Sequence, residues 1–459
     1  MKLKEIKKLQ EKKLRKFITL VYHFHPYYRR LFKTLNLRPE DIRTLDDLRK
    51  LPFTNKSDWV GNEQNFILQP NKRIYKFLSW KDKILFLVNR NKAMERMNYE
   101  FLPATFFVTS GRTGNSAPCF YTRHDFEIIK NATIKALQPM IRSLKNKLRL
   151  QIMFPYAPHL AFWHTVFGWL GESDVFAAVL GAGRTNTQIE LMEKLKTNVL
   201  AGMPSYINYF SQIAKENGAF SSVRYIIVGG EYLTDAMKKR IKNNFSSIGP
   251  EPRIIQTYAS TESKAALFEL SENDGYVIDP KLHLWEVVDP KTGENVGFDE
   301  KGVIVFTHLS FTGTVFLRYW TDDIVTKGLT YENGFLKLKG HIHRRTDTKM
   351  IVTKVKGTLI DMPSLENLIA GLKEIKEYQI IISKKNPNDK FSLDELIIKL
   401  SLKKRYERVK EKIVKKVEEL VKDYYEITPK VKVKPFNELV EEVFQKLKGM
   451  HVVDMRPKF

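Results

Sequence analysis

A chain of 459 residues with 43% hydrophobic residues has material for two or three domains and a sizeable core, so a folded, soluble protein is expected rather than a disordered or fibrous one. Its single cysteine, Cys119, excludes internal disulfides and any thiolate-built zinc site within one chain, and a buried, inert thiol is expected. The formal net charge of +25 invites a nucleic-acid partner, because Lys/Arg excess supplies non-specific affinity for phosphate backbones, so the placement of that charge matters.

Much of the excess falls in two stretches, Lys2 to Lys16 and Lys403 to Lys422. In the first, Ile6, Leu9, Leu14 and Phe17 recur near a helical period; in the second, Val409, Ile413, Val417 and Val421 do. Both predict amphipathic surface helices with lysine-rich wet faces, which favours solvation and attraction of small anions over a nucleic-acid groove. No apolar run is long and clean enough for a membrane span: Ala161 to Gly183 is interrupted by His164, Glu172, Ser173 and Asp174. The N-terminus lacks a signal-peptide core, so a cytoplasmic protein with no membrane partner and no specific nucleic acid is expected.

From about 104 to 262 strand-like and helix-like segments alternate. Strands are predicted near 104–109, 149–154, 175–180, 198–202, 223–228 and 253–258, with helices near 125–143, 188–195, 204–215 and 234–245, the signature of a parallel α/β sheet. After Glu262 the texture becomes β-rich and turn-punctuated, with strands predicted at 302–309 and 314–320. The last third predicts strands at 378–383 and 395–402, a basic helix at 404–423, a strand near 430–433 and a helix at 437–447. The expected fold class is therefore α/β: a large N-terminal domain over 1–347 with parallel α/β sheets and a β-rich subdomain, and a small C-terminal α+β domain over 348–459.

The segment TSGRTGNSAP at 109–118 follows the apolar run Ala104 to Val108 and gathers Thr109, Ser110, Gly111, Arg112, Thr113 and Gly114. Glycines let successive N–H groups converge on an anion and the hydroxyls adapt to phosphate oxygens, although such clusters are more often solvated turns. It is not a Walker loop, because Asn115 and Ser116 follow Gly114 where Lys and Ser/Thr are required. GAGR at 181–184 begins like a dinucleotide fingerprint, but Asn186 replaces its third glycine, and an ordinary strand-to-helix loop is expected.

Downstream stand VGGEYL at 228–233, TYASTES at 257–263, LRYWTDDIV at 317–325 and HRRTDTKMIV at 343–352. In this order the motifs resemble the adenylate-forming superfamily of acyl-CoA synthetases, and PYYRRLFKTLNLRPEDIRTLDDLRKLPFTNKSD at 26–58 is similar to the phenylacetate–CoA ligase branch. The resemblance implies that the 109–118 loop wraps the β- and γ-phosphates of ATP, with Arg112 adding a cation. It places adenine against Gly229 and Gly230, beside Glu231 and the ring of Tyr258. Thr261 is implied to bond the α-phosphate, Glu262 to hold Mg2+, and Asp323 (with Asp322 as its neighbouring rival) to accept from the ribose hydroxyls. Arg345 is implied to reach ribose or phosphate, Asp347 to form the hinge, and Lys448, with Lys446 as rival, to be the catalytic cation. A point charge there suits an attack that brings two anions together.

The implied activity is ATP-dependent acid–thiol ligation through an acyl-adenylate, with ATP, Mg2+ and CoA, a small-molecule carboxylic acid as substrate, and a homodimer as a possible assembly. Phe107, Tyr156, His159, Phe162, Trp163, His164 and Met203 border the implied acyl pocket; aromatic lining suits an aryl or arylalkyl acid, and a helix packing its aromatics into the core is the competing reading. No metal site is expected among the histidines, since His159 and His164 do not share a helical face and His341 with His343 lacks a third ligand. TKVKGTLIDMP at 353–363 departs from the resemblance, carrying Lys354 where relatives have glycine, so an adenylyltransferase acting on a cofactor or other non-CoA acceptor is the alternative. A degenerate, basic nucleic-acid-binding protein is the remote third reading.

Overall fold

The computed structural model describes residues 1–109, 116–145, 147–156, 160–169, 174–344, 352–355, 358–386, 392–444 and 451–456. Its centre is a nine-stranded mixed sheet. The strands Val175–Val179, Leu148–Ile152, Val199–Gly202, Tyr225–Gly229 and Arg253–Tyr258 lie side by side and parallel, the arrangement expected from the alternating pattern. The strands Val199–Gly202 and Tyr225–Gly229 are buried at every position, because helices cover both faces of a parallel sheet and an uninterrupted apolar run is then required. Helices Arg123–Ser143, Thr185–Lys194, Pro204–Glu216 and Asp235–Ser246 fall where helices are predicted. Thr122 starts the first through a capping box with Asp125, and the Thr234 hydroxyl accepts from Met237 N to start the last.

One expectation fails in its topology. The segment predicted as the first parallel strand, Pro103–Val108, instead pairs antiparallel with Pro118–Thr122 in a separate two-stranded ribbon. Its alternate residues Ala104 and Phe106 are exposed, which a strand buried on both faces does not allow; a short apolar run alone does not distinguish the two. Thr109 N donates to Ala117 O and Ala117 N to Thr109 Oγ1, both at 3.1 Å, which continues the ribbon by one residue on each side.

An antiparallel four-stranded sheet, His283–Val288, Gly302–His308, Tyr319–Val325 and Ile342–Arg344, forms the β-rich part. The strand predicted at 314–320 begins only at Tyr319, directly after Arg318 at φ 46°. The N-terminal helix Leu3–Phe24 buries Ile6, Leu14, Phe17, Ile18, Val21 and Phe24 against this sheet, in one core with Trp285, Phe306 and Phe316. The Lys/Arg-rich remainder of the helix faces water.

The C-terminal residues build a second four-stranded sheet, ordered Lys430–Val433, Asp394–Leu402, Ile375–Lys384 and Val452–Asp454, with helices Met362–Ala370 and Lys410–Tyr425. Ile413, Val417 and Val421 of the basic helix are buried as their spacing predicts, whereas Val409 is exposed ahead of the helix. This sheet has its own hydrophobic cluster, from Val355 to Ile427. It rests on the helices Pro204–Glu216 and Asp235–Ser246: Arg240 donates to the carbonyls of Lys376 and Ala370, and Lys376 pairs with Glu216. In the altered 353–363 segment Val352–Val355 pairs antiparallel with Thr358–Asp361, and Asp361 caps the helix that follows.

Candidate active site

Strand Arg253–Tyr258 ends at the C-terminal edge of the parallel sheet, and the chain there turns through Ala259–Lys264. Ser260 N donates to Ser263 Oγ and Ser263 N to Ser260 Oγ, and Lys264 sits at φ 65°. The turn is pinned from three sides. Tyr121 OH donates to Thr261 O at 2.6 Å, the His283 ring bonds Ser263 O at 2.7 Å, and Lys264 Nζ reaches Phe120 O at 2.8 Å and Asp125 Oδ2 at 2.6 Å. Both members of that last pair are fully buried. Asp125 also accepts from the backbone N–H of Thr122, Thr312 and Gly313, so its charge is fully partnered.

The turn places Glu262 against strand Tyr319–Val325. Tyr319 OH donates to Glu262 Oε1 at 3.3 Å, Tyr258 OH donates to Asp323 Oδ2 at 2.7 Å, and Arg344 Nε stands 3.2 Å from Asp323 Oδ1. Arg344 faces Asp323 because the two are direct partners in the antiparallel register. Burial raises the Asp323 carboxyl above its ordinary range, with the Arg344 guanidinium and the Tyr258 phenol pulling it back. Burial opposes the charge on Arg344, but Asp323 and then Glu262 more than offset it. Lys56, from the PFTNKSD segment, lies within the field of the same group: burial lowers its pKa, Glu262 raises it and Arg344 lowers it. Two carboxylates, a guanidinium, an ammonium and two phenols thus converge at one sheet edge.

Sequence reasoning singled out Glu262, Thr261, Tyr258 and Asp323, and the structure brings them together. It missed Arg344, Tyr319 and Lys56. Arg345, the neighbour named instead of Arg344, lies outside the described residues, as do Ser110, Gly111, Arg112, Thr113, Gly114, His159, Lys446, Lys448 and Asp347, the expected hinge. The signal that finds Arg344 is strand alternation, since Ile342 and Arg344 share one face of their strand. Asp322, at φ 62°, is occupied differently, accepting from Trp320 Nε1 at 2.9 Å.

Gly229 and Gly230 have two separate reasons. A Cβ at Gly229 would collide with Thr257 Oγ1 on the adjacent strand, so that glycine is needed for close pairing; Gly230, at φ 83°, is needed for the turn. Glu231 Oε2 accepts from Ser205 N at 3.1 Å, and its buried Oε1 has no partner among the described residues.

The expected acyl-pocket residues divide. Phe107 is buried in a small aromatic cluster with Tyr121 and Phe311, Met203 and Phe162 belong to the core of the parallel sheet, and Trp163 packs against both. Tyr156 is exposed. His164 bonds Thr133 Oγ1 at 3.5 Å, and burial alone lowers its pKa to about 4, so it is neutral at physiological pH. Burial pushes the Cys119 thiol up to about 12, which leaves it unreactive. The GAGR segment is a strand-to-helix loop whose carbonyls at Gly181 and Gly183 are held by the Gln188 amide. No cluster of three metal-ligating side chains occurs among the described residues.

Residues 47–320 match the AMP-binding enzyme family, to which this chain belongs. It is similar to the phenylacetate–coenzyme A ligase of Thermus thermophilus, 26% identical over 419 residues that cover 88% of this chain and 83% of that protein. It is similar also to the enzyme of the same name from Aromatoleum evansii, 26% identical over 99% of this chain and 95% of the relative. In fold it matches 2-hydroxyisobutyryl-CoA ligase, solved in the postadenylation state with its acyl-adenylate, with a TM-score of 0.77 at 17% identity over 99% of this chain and 91% of that one.

Proposed function

We propose that this chain is an ATP-dependent acid–thiol ligase that joins a carboxylic acid, best an aryl or arylalkyl one, to CoA through an acyl-adenylate. The observation that carries the reading is the Tyr258–Asp323–Arg344 array beside Glu262. A carboxylate accepts at roughly four lone-pair positions, and Asp323 gives one to the phenol and one to the guanidinium, which leaves capacity for two ribose hydroxyls. Tyr258 offers its ring to adenine, with the turn at Gly230 and the open oxygen of Glu231 at the base's polar edge.

Glu262 suits Mg2+, a hard cation that binds through one or two carboxylates plus phosphate oxygens, which would neutralise charge on the triphosphate. The 109–118 loop, with Arg112, would hold the departing pyrophosphate, and Thr261 the α-phosphate. A carboxylate oxygen of the acid attacks the α-phosphorus and the bond to pyrophosphate breaks; Lys448 supplies the cation for that charge build-up. Residues 348–459 then turn about Asp347, the CoA thiol loses its proton to solvent and attacks the acyl carbon, and AMP leaves. The relatives' names supply the acid class and the thiol acceptor for this reading.

Pyrophosphate release measured across aryl, arylalkyl, short-chain and fatty acids, with and without CoA, tests it. Acid-dependent pyrophosphate together with a CoA thioester is the expected result; pyrophosphate without thioester in every case would move the reading to a non-CoA acceptor. Lys448→Ala is expected to abolish pyrophosphate formation while ATP still binds.

A further inference from the structure

Helix Trp80–Val88 has its amphipathicity turned outward. Trp80, Ile84, Leu87 and Val88 recur at the spacing of a single helical stripe, yet they are 69%, 49%, 79% and 80% exposed. None of the nine residues of the helix is buried. The inward side is held by polar and aromatic contacts instead: Asp82 pairs with Arg96 at 3.0 Å, and the Phe86 ring meets Tyr75 edge-on at 6.0 Å. Tyr75, Phe77 and Met94, in the flanking segments, are also exposed. A contiguous exposed apolar stripe costs solubility unless something covers it.

The charge around the stripe identifies the cover. Residues 71–92 contain seven lysines and arginines, Lys72, Arg73, Lys76, Lys81, Lys83, Arg90 and Lys92, against one carboxylate, Asp82, which is already engaged by Arg96 and Ser79. Lys81 lies over the Trp80 ring and Lys83 over the Tyr75 ring, at 5.7 and 5.9 Å, so the cations border the apolar side chains directly. A second copy of this chain would bring the same cationic segment against itself and be repelled. An anionic amphiphilic surface satisfies both the charge and the stripe.

We propose that helix Trp80–Val88 and its flanking cations form a docking surface for an anionic lipid membrane, with the helix lying flat and its stripe entering the boundary between headgroups and acyl chains. At about 13 Å long the helix is far too short to span a bilayer, and no described helix is long and apolar enough to do so. The expectation of no membrane partner rested on the lack of a spanning segment, which says nothing of peripheral attachment. The surface is independent of the ligase reading, since none of its residues belongs to the proposed site.

Flotation of the full-length protein with phosphatidylcholine vesicles, with and without phosphatidylglycerol, tests the surface. Binding is expected only with phosphatidylglycerol present and is expected to weaken as salt rises. Leu87→Asp/Val88→Asp should reduce partitioning by at least about tenfold, given the transfer free energy of two apolar side chains, and Lys81→Glu/Lys83→Glu by roughly tenfold or more. Phe220→Asp, the same kind of change at an exposed apolar residue outside the stripe, should keep binding. All three should leave pyrophosphate release in solution unchanged. The proposal is overturned by an absence of binding to anionic vesicles, or by binding that survives Leu87→Asp/Val88→Asp. A soluble dimer that this variant splits, seen by sedimentation equilibrium, would instead assign the stripe to a second copy.

Discussion

Asp323 gives one oxygen to a phenol and the other to a guanidinium, and this division sets what each substitution in the site should do. Asp323→Asn keeps the shape but strands Arg344, so kcat/KM for ATP should fall by roughly ten- to hundredfold, the worth of charge-assisted hydrogen bonds. Unchanged ATP kinetics in the folded variant would remove Asp323 from nucleotide binding. Lys264 sits at the other extreme: it touches no open surface, and its pair with Asp125 holds the Thr261–Glu262 turn against the start of helix Arg123–Ser143. Lys264→Met leaves a buried carboxylate short of its cation and should cost about 3–5 kcal/mol. Calorimetric unfolding checks this, and a Tm equal to that of the parent would show the pair to be dispensable. Glu262 and Asp323 were legible in the sequence because they fall in recognisable motifs. Arg344, Tyr319 and Lys56 fall in quoted motifs too, but which side chain of a motif reaches the site is set by strand register and by the crossing of a distant N-terminal segment.

At the scale of elements, the terminal strand Val452–Asp454 is tied down by His451, whose Nε2 lies 3.0 Å from Glu377 Oε1 and whose carbonyl accepts from Ile380 N. Burial alone would lower the His451 pKa, but Glu377, then Glu366 and Glu231, hold it above its ordinary 6.5. Burial alone would raise Glu377, but His451, with Arg240 further away, holds it below the ordinary range. The signs follow directly. The raised histidine contributes stability in full below its unfolded value and loses it as pH climbs through the folded value, while the lowered carboxyl contributes above its unfolded value and loses it as pH falls through the folded one. Stability should therefore decline as pH rises beyond 6.5, and His451→Phe should flatten that decline; urea midpoints across neutral to alkaline pH measure both. The ribbon Pro103–Val108 with Pro118–Thr122 teaches a different lesson. The apolar run showed a strand near 104–109, but neither the strand Pro118–Thr122 nor the antiparallel pairing was expected, because pairing is decided by what lies across the strand.

At the scale of the molecule, the clusters around the parallel sheet, around the N-terminal helix with the four-stranded sheet, and within the C-terminal sheet are built from different stretches of chain. The second joins residues from Ile6 to Leu338, so the N-terminal helices are part of one folded body with the β-rich segment rather than an appendage. A formal charge of +25 spread over this body is self-repelling, and added salt screens exposed charges beyond about 10 Å at 0.1 M. The Tm should therefore rise as sodium chloride is added from low concentration. A falling Tm would show that surface pairs such as Lys434–Glu438 outweigh the repulsion.

The alternation of strands and helices between about 149 and 258 and the buried stripes of the basic helices were determined by the sequence alone, because periodicity acts over a few neighbouring residues; the Thr-Glu pair was found through its resemblance to a family motif. The partners across each strand, the guanidinium that meets Asp323, the fully buried Lys264–Asp125 pair and the outward stripe of helix Trp80–Val88 were decided only by tertiary structure. A stripe in a sequence says that a helix has an apolar face; whether the protein's own core or something outside it covers that face depends on where the rest of the chain has gone.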